Sequence, residues 1–473
     1  MRPSEQPTAH QPAPYRPDPQ INALADWLAS PVAAADFPQT RLRFANRRAA
    51  ETVGLQGWSD DDFVRHLGRF EPLDGNLEQP LALAYHGHQF RVYNPDIGDG
   101  RGFLFAQLRD RDDRLLDLGT KGSGTTPYSR SGDGRLTLKG AVREILATEM
   151  LEALGVNTSR TFAVIETGEQ LERHDEPSPT RSAVLTRLSH GHIRIGTFQR
   201  LALLEERDHM AQLVDYCLAQ YPGPLPPDDT PGRDEPAVIL LHQVVERLAD
   251  TAAGWMVAGF VHGVLNTDNM NISGESFDYG PWRFLPRWDA SFVAAYFDHG
   301  GLYAFGRQPE AVHWNCMQLA VALRTLSDSE PLIAALDRYG QLYEASLRRR
   351  WIWRLGLEPG EKEDDTALIA AMERRMVEEG SAPDRVFARY RLFDGEPVDD
   401  LERLLAARAH RSDAAPLPFA PDEVPSLEIE RVEEIWAAID RDDDWSVLEG
   451  AVAQIRRLGE ALGPIASSGD RSR

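Results

Sequence analysis

Cysteine is scarce in this chain: among 473 residues there are two, Cys217 and Cys316. Two cysteines cannot build the multi-bridge framework of a small secreted domain, and such low usage is typical of a reducing cytosol. Positive charge is also in short supply, because 51 lysines and arginines face 74 aspartates and glutamates, giving a net charge of −23. That much acid repels nucleic-acid phosphates and anionic lipids, so we expect neither as a main partner.

Long hydrophobic runs are absent as well. The most apolar stretch, residues 252–265, contains His262 and is too short to span a bilayer. The first twenty residues lack the apolar core of a signal peptide, and their prolines oppose the amphipathic helix of a transit peptide. We therefore expect a cytoplasmic protein. The length of 473 residues and the apolar content of 42% are enough for one large or two medium domains.

Residues 262–280, HGVLNTDNMNISGESFDYG, carry the most informative pattern. A carboxamide and a carboxylate at the two ends of a short turn-and-return segment can bind one Mg²⁺ through oxygen ligands. Phosphotransferases with a kinase-like fold do this with the Asn of the catalytic loop and the Asp of a D-F-G-type tripeptide. Asn269 and Asp278 occupy those two positions, so we predict them as metal ligands. The alternative is a polar loop with an Asx-turn and a chance DYG.

The proton acceptor of such a loop is altered here. Kinase-like loops of the form H-G-D-x-x-x-x-N place a carboxylate two residues after the His, but this chain has Val264 there. Asp268, directly before the metal Asn, is the nearby carboxylate able to replace it. The segment therefore predicts a nucleotide-metal site whose transfer chemistry differs from that of a kinase.

Two glycine-rich loops precede this segment. Residues 97–102, IGDGRG, come before a predicted strand-turn-strand hairpin at 103–110 and 114–122. Glycine lets a backbone approach a phosphate closely, although most such peptides are tight turns, and the strand that follows argues against a dinucleotide fold. The second loop, residues 122–135, either supplies further amide donors to a nucleotide or is a flexible linker.

A lysine on a strand is followed by a glutamate on a helix. Lys121 closes the hairpin, and Glu144 lies one turn into an amphipathic helix predicted over 138–154. In nucleotide-binding lobes a strand Lys and a helix Glu form an ion pair that positions a phosphate. Singly, each would be an ordinary surface residue.

Two arginines accompany a further pair of predicted strands, 161–167 and 182–189. Arg187 and Arg194 flank the end of the second of these strands. Guanidinium groups bind phosphate oxygens in a bidentate manner, which makes both arginines candidate phosphate ligands. Surface salt bridges are the equally simple alternative.

The order of the elements predicts an α+β chain with a two-lobed, protein-kinase-like fold, in which the nucleotide site lies between the lobes. The predicted helices of the second lobe cover 197–219, 237–260, 309–327, 330–354, 365–379, 397–410 and 428–461. The predicted boundaries are a disordered Pro-rich tail at 1–20, a helical and loop extension at 21–84, a β-rich nucleotide-binding lobe at 85–195, a mainly helical lobe with the catalytic loop and the DYG motif at 196–462, and a frayed tail at 463–473.

Several blocks between residues 80 and 325 resemble the selenoprotein O family, whose members are kinase-fold protein adenylyltransferases long labelled pseudokinases. The blocks that carry the resemblance are YHGHQF, IGDGRG, KGSGTTPYSRSGDGR, SHGHIRIGTF, HGVLNTDNM and DYGP. The resemblance implies that ATP is bound in a flipped orientation and that AMP moves to a Ser, Thr or Tyr hydroxyl of a target protein.

The same resemblance implies roles for individual residues. Asp268 would be the proton acceptor, and Asn269 and Asp278 would bind the Mg²⁺ of ATP, with Mn²⁺ equally compatible with oxygen ligands. Lys121 would bind phosphate and pair with Glu144. The residues implied to contact the nucleotide or its phosphates are Gly98, Gly100, Arg101, Asp133, Gly134, Arg187 and Arg194.

This chain departs from the family pattern at a few positions. Arg91 stands where the family usually has Gly after HQF, and the LGT before Lys121 is atypical. The loop after DYG and the C-terminal tail lack the cysteines of the family's redox switch, so we do not expect that switch here. Two other functions stay open: an ordinary kinase, to which Val264 is the main objection, and a non-catalytic ATP-binding scaffold, which would not need the whole set of site residues.

Overall fold

The computed structural model describes residues 13–173 and 177–465. Within them the chain forms two compact units, the first made of residues up to 84, 98–141 and 160–192, and the second of 85–97, 142–159 and 193 onward. Of the predicted tails, residues 1–12 and 466–473 lie outside the described residues. Residues 174–176, in the polar loop between the two longest strands, also lie outside them.

The strands alternate with short helices in the first third of the chain and become rare after residue 189. In chain order they are β1 Ala29–Pro31, β2 Arg41–Ala45, β3 Leu81–Leu83, β4 Gly87–Gln89, β5 Val92–Asn94, β6 Leu104–Arg109, β7 Leu115–Lys121, β8 Leu136–Thr137, β9 Arg160–Leu171, β10 Thr180–Ser189, β11 Phe260–Val261 and β12 Arg283–Phe284.

The α-helices dominate the second unit. They are α1 Ala25–Leu28, α2 Arg47–Thr52, α3 Asp60–Leu67, α4 Leu138–Ala153, α5 Ile195–Leu203, α6 Arg207–Gln220, α7 Pro236–Ala258, α8 Gln308–Leu323, α9 Ser329–Asp337, α10 Tyr339–Leu355, α11 Lys362–Glu379, α12 Pro383–Tyr390, α13 Asp400–Ala406, α14 Ile429–Asp442 and α15 Ser446–Leu462.

The first unit is built on one antiparallel sheet with the strand order β1-β3-β6-β7-β10-β9-β2, and β8 pairs with β10. The predicted hairpin β6–β7 and the predicted strands β9 and β10 are all present. Their apolar runs are buried: every residue of β7 is buried, which explains why this strand lacks the alternation of a half-exposed one. The α+β class is therefore confirmed, with a mainly antiparallel sheet.

The core of the first unit lies between this sheet and helix α3. Phe63 of α3 and Phe162 of β9 are fully buried with ring centroids 5.6 Å apart. A capping box at Ser59 and Asp62 fixes the start of α3, because each side chain accepts a hydrogen bond from the other residue's backbone N–H. The segment predicted as a helical and loop extension, 21–84, contributes strands β1, β2 and β3 as well.

The second unit is centred on α7, which is buried along most of its 23 residues and ends at Gly259 in the left-handed conformation. Two predicted helices are each divided in two by a residue with positive φ. Glu205, with φ 57°, separates α5 from α6, and Asp443, with φ 51°, separates α14 from α15. A helix cannot continue through such a conformation, and hydrophobic periodicity does not reveal it.

Among the described residues, no helix combines the length and the apolar character that crossing a bilayer requires.

Gly102 offers a test of the close packing between β6 and β7. A Cβ at this position would lie 1.9 Å from the carbonyl oxygen of Thr120, a backbone atom that is fixed in the sheet. We expect Gly102→Ala to lower the free energy of unfolding by roughly 1–3 kcal/mol, because the two backbones must separate. Urea unfolding followed by circular dichroism measures this change.

The matched control is Gly57→Ala, where an added Cβ meets nothing within 4 Å. Its unfolding midpoint should stay at the wild-type value. Equal midpoints for the two variants would contradict the packing described for Gly102.

Candidate active site

The loop that follows β11 contains the residues predicted as proton acceptor and metal ligand. It runs from His262 to Asn269 and ends in a 3-10 turn, Thr267–Asn269. His262 is fully buried, and its backbone N–H donates to Gln308 Oε1 at 2.9 Å. Its ring Nε2 lies 3.0 Å from the carbonyl oxygen of Phe277, so it donates there when it carries the proton. This contact joins the loop to the residue directly before Asp278.

The β4–β5 hairpin fixes the loop through Asn266. The backbone N–H of Phe90 donates to Asn266 Oδ1 at 2.9 Å, and the hydroxyl of Tyr303 donates to the same oxygen at 2.8 Å. Phe90 and Tyr303 also pack their rings together, with centroids 5.0 Å apart. Asn266 is therefore held by two donors from distant parts of the second unit.

The next residue, Thr267, is fixed in the same way. Its hydroxyl accepts from the backbone N–H of His88 at 2.7 Å and donates to Gln199 Oε1 at 2.7 Å. Gln199 in turn lies 2.8 Å from His88 Nδ1 through its Nε2. Thr267 is fully buried, so water cannot reach its hydroxyl, and these bonds supply the partners that water would otherwise provide.

Asp268 follows directly and is almost completely buried. Its Oδ2 has one long contact, 3.5 Å, with Gln89 Nε2, and its Oδ1 has no hydrogen-bond partner among the described residues. Burial raises the pKa of Asp268 to about 6, the charge of Arg194 opposes that rise, and the charge of Asp278 adds to it. A carboxylate with this pKa is still mostly ionised at neutral pH and accepts a proton more readily than an exposed Asp.

Arg194 brings Asp268 and Asp278 to one guanidinium group. Its Nη1 donates to the backbone carbonyl of Asp268 at 2.9 Å and lies 3.9 Å from Asp278 Oδ2. The guanidinium carbon lies 4.4 Å from the ring centroid of Tyr85 and 5.0 Å from that of Phe277. These rings stabilise a cation that is itself buried.

Asn269 and Asp278 have the donor chemistry that a hard cation needs. Asn269 Nδ2 donates to the carbonyl of Val264 at 2.9 Å, which leaves the amide oxygen for another ligand. The Asp278 side chain is a quarter exposed, so its carboxylate is accessible. Mg²⁺ in nucleotide sites is bound by one or two such oxygens plus phosphates. The described residues contain no cluster of three or more His, Cys, Asp or Glu able to hold a metal.

The first glycine-rich loop packs against the second within the first unit. A Cβ on Gly98 would lie 2.5 Å from the ring of Tyr128, and one on Gly100 would lie 3.1 Å from the Tyr128 carbonyl. The Thr126 hydroxyl donates to the carbonyl of Asp99, which ties the two loops together. The predicted flexible-linker alternative for residues 122–135 is thus not favoured, and these glycines have a packing role whatever they bind.

The other residues of these loops that were predicted to contact the nucleotide are Arg101, Asp133 and Gly134. Arg101 is exposed. Asp133 is also exposed and forms an ion pair with Arg173 at 2.9 Å. Gly134 has φ 70°, and a Cβ there would lie 2.3 Å from the backbone of Gly124, so only glycine fits.

Lys121 and Arg187 lie on neighbouring strands of the sheet, and both are buried. Lys121 ends β7 opposite Leu185 of β10, and Arg187 of β10 lies opposite Gly119 of β7. Glu144 belongs to the second unit, on helix α4, and is fully buried. The ion pair predicted between Lys121 and Glu144 stays a prediction.

The second unit therefore gathers four of the predicted residues, namely Arg194, Asp268, Asn269 and Asp278. Sequence reasoning assigned no role to the residues that hold them in place. These are His262, Asn266 and Thr267 in the loop itself, His88 and Phe90 in the hairpin, and Gln199 and Tyr303. The polar run Asn-Thr-Asp-Asn was visible as a signal, but Tyr303 lies 37 residues from its partner, and no local pattern marks it.

Comparison with known proteins gives consistent matches along the chain. The family model described as "Protein adenylyltransferase SelO" matches residues 14–413. A protein of Synechocystis sp. named "Protein nucleotidyltransferase YdiU" is 50% identical over 329 residues, covering 69% of this chain and 68% of the relative. A protein of Synechococcus elongatus with the same name is 41% identical over 477 residues, covering 94% of this chain and 95% of the relative.

Thr267 allows a test of how the hairpin fixes the loop. Replacing it by Val removes the hydroxyl while keeping the shape, which leaves the His88 N–H and Gln199 Oε1 without their partner. We expect Thr267→Val to lower the free energy of unfolding by about 1–3 kcal/mol, the cost of unsatisfied buried groups. Hydrogen exchange of the His88 amide should accelerate at the same time.

Thr267→Ser is the control, since it keeps the hydroxyl and both hydrogen bonds. If the His88 amide exchanges equally slowly in the Thr267→Val and Thr267→Ser variants, the hydrogen bond from His88 to Thr267 is not what constrains this loop.

Proposed function

The chain belongs to the SelO family of protein adenylyltransferases, and we propose that it transfers AMP from ATP to Ser, Thr or Tyr hydroxyls of target proteins. Family membership makes it a protein nucleotidyltransferase with ATP and proteins as substrates. The proposal adds that ATP is bound in a flipped orientation, with its α-phosphorus toward the acceptor hydroxyl and its pyrophosphate as the leaving group.

The observation that carries this proposal is the position of Arg194 Nη1, which contacts the Asp268 carbonyl and approaches the Asp278 carboxylate. The backbone of the proposed proton acceptor and the carboxylate of the proposed metal ligand thereby lie beside one guanidinium group. Val264, at the position of a kinase's catalytic Asp, has no group that accepts a proton. The proposed proton acceptor therefore differs in sequence position from that of a kinase, which supports a reaction other than transfer of the γ-phosphate.

Asp268 acts as the base in the proposed mechanism. Its buried Oδ1 has no partner within the described part of the chain, so an acceptor hydroxyl that reached this oxygen would displace no existing hydrogen bond. As the hydroxyl oxygen bonds to the α-phosphorus, its proton passes to Asp268. Gln89 contacts the other carboxylate oxygen and favours one orientation of the side chain.

Asn269 Oδ1 and the Asp278 carboxylate would hold Mg²⁺ or Mn²⁺ together with phosphate oxygens. The ion would supply positive charge that offsets the charge developing on the phosphates. Arg194 adds a permanent charge beside it. Asn269 is suited to this role because its amide nitrogen is already bonded to Val264, which fixes the direction of the oxygen.

The nucleotide contacts proposed in the first unit are Lys121 and Arg187 on the strands, Gly98, Gly100 and Arg101 in the first loop, and Asp133 and Gly134 in the second loop. Lys121 would bind phosphate and pair with Glu144. We propose further that the two compact units correspond to the two lobes of a protein-kinase-like fold. The antiparallel sheet of the first unit and the helices of the second unit support this correspondence.

ATP labelled at one phosphorus at a time tests the reaction. With label at the α-phosphorus, we expect protein to become labelled in a bacterial extract incubated with the enzyme and Mg²⁺. With label at the γ-phosphorus we expect none, because pyrophosphate leaves. Asp278→Ala should abolish the α-label by removing a ligand of the metal.

Label from the γ-phosphorus alone would instead identify a kinase. Measurable ATP binding with no label from either position would identify a scaffold. Either result would reject the proposed transfer of AMP.

Asp268→Asn tests the proposed base with almost no change of shape. An amide cannot take the proton, so we expect kcat to fall by roughly 100-fold or more, the contribution typical of general-base catalysis. The affinity for ATP, measured by calorimetry, should change by less than about twofold. Val264→Ala is the matched control in the same loop, and its kcat should remain within about threefold of wild type. A wild-type kcat in Asp268→Asn would exclude Asp268 as the base.

A further inference from the structure

Helix α4, which carries Glu144, is held within the second unit by arginine side chains along its length. Near its start, Arg143 Nη2 donates to the carbonyl of Trp282 at 2.9 Å. Just past its end, Arg350 Nη1 donates to the carbonyl of Gly155 at 2.7 Å. These two contacts hold the N-terminal half of α4 and the residue just past its C-terminus.

The C-terminal half of α4 is contacted by helix α15. Arg456 of α15 binds Glu149 of α4 through two parallel hydrogen bonds, from Nε at 2.8 Å and from Nη2 at 2.6 Å. The Glu149 side chain is 2% exposed and that of Arg456 is 29% exposed. A bidentate pair in which the carboxylate is buried is the strong and directional form of this interaction.

A second contact fixes the distance between the two helices. Gly459 lies three residues after Arg456, on the same face of α15. A Cβ on Gly459 would lie 3.0 Å from the Cα of Ala153 in α4, so a larger residue there would require the two backbones to move apart by a few tenths of an ångström. The ion pair and the glycine contact together restrict the rotation of α4 about its axis and its distance from α15.

Helix α15 lies beyond residue 413, where the match to the family model ends. It nevertheless contacts the helix that carries Glu144, five residues before Glu149. We propose that Arg456 is a positioning residue: through Glu149 it fixes α4, and thereby sets Glu144 for nucleotide binding. This proposal rests on the role in nucleotide binding that is proposed above for Glu144.

Loss of Arg456 would leave the buried Glu149 carboxylate without its bidentate partner. A buried carboxylate that loses two hydrogen bonds is costly to keep in place, so the helix would move to give the carboxylate more access to water. Small displacements of a group that positions substrate reduce activity strongly. The effect should therefore appear in α4 and in ATP affinity, and not only in global stability.

The test compares Arg456→Ala with the double variant Glu149→Gln/Arg456→Gln, which removes the pair without leaving a buried charge. We expect amides of α4 to exchange hydrogen about tenfold faster and the affinity for MgATP to weaken about tenfold in Arg456→Ala, a coupling of ordinary size. The double variant should change both in the same direction but by less, because it loses the two hydrogen bonds and leaves no charge buried. Arg456→Lys should recover part of both effects because it keeps the charge and loses the bidentate geometry.

Arg389→Ala is the matched control, since Arg389 of α12 forms an ion pair with Glu379 of α11 at 2.7 Å, also between two helices of the second unit. It should lower the melting temperature without changing α4 exchange or ATP affinity. If the Arg456 variants behave like this control, the positioning role is rejected. Because hydrogen exchange needs neither ATP nor transfer, a failure of the proposed function would leave this readout intact.

Discussion

Arg194 Nη1 lies 2.9 Å from the carbonyl oxygen of Asp268 and 3.9 Å from the carboxylate of Asp278. The backbone next to it is also paired with this part of the chain, because the N–H of Ile195 donates to the carbonyl of Met270 at 3.0 Å. The side chain and the backbone of one short segment thus fix both ends of the candidate site. The positions of Asp268 and Asp278 are consequently coupled, and a displacement of Arg194 would alter both.

The electrostatics of the site follow from the same contact. Two carboxylates in a buried region repel each other, and the charge of Asp278 adds to the effect of burial on the pKa of Asp268. Arg194 opposes both effects, while Tyr85 and Phe277 compensate the arginine for lost hydration through their ring faces. The balance leaves Asp268 ionised at neutral pH and more basic than an exposed Asp. An acidic chain therefore gains a local cation where phosphates would bind.

The sequence yielded candidate residues for the site but not the contacts that hold them in place. Asp268, Asn269 and Asp278 were identified because kinase-like sites need particular residue types at particular spacings. The α+β class, the β6–β7 hairpin and most of the helices followed from hydrophobic periodicity. The anchoring of Asn266 by Tyr303, and of Thr267 by the β4–β5 hairpin, could not be predicted. Those contacts depend on tertiary packing between segments far apart in the chain, and spacing rules describe only neighbours along it.

The backbone of Asp278 shows why that support matters. Asp278 has φ 61°, a left-handed conformation that costs energy for any residue with a Cβ, although Asp tolerates it better than most. The neighbours on both sides hold it there: the carbonyl of Phe277 faces His262 Nε2, and the buried hydroxyl of Tyr279 donates to Ser276 Oγ at 2.8 Å. Strain of this kind persists only where the surroundings fix it. The direction of the Asp278 carboxylate is therefore set by the buried residues on either side of it and by their partners.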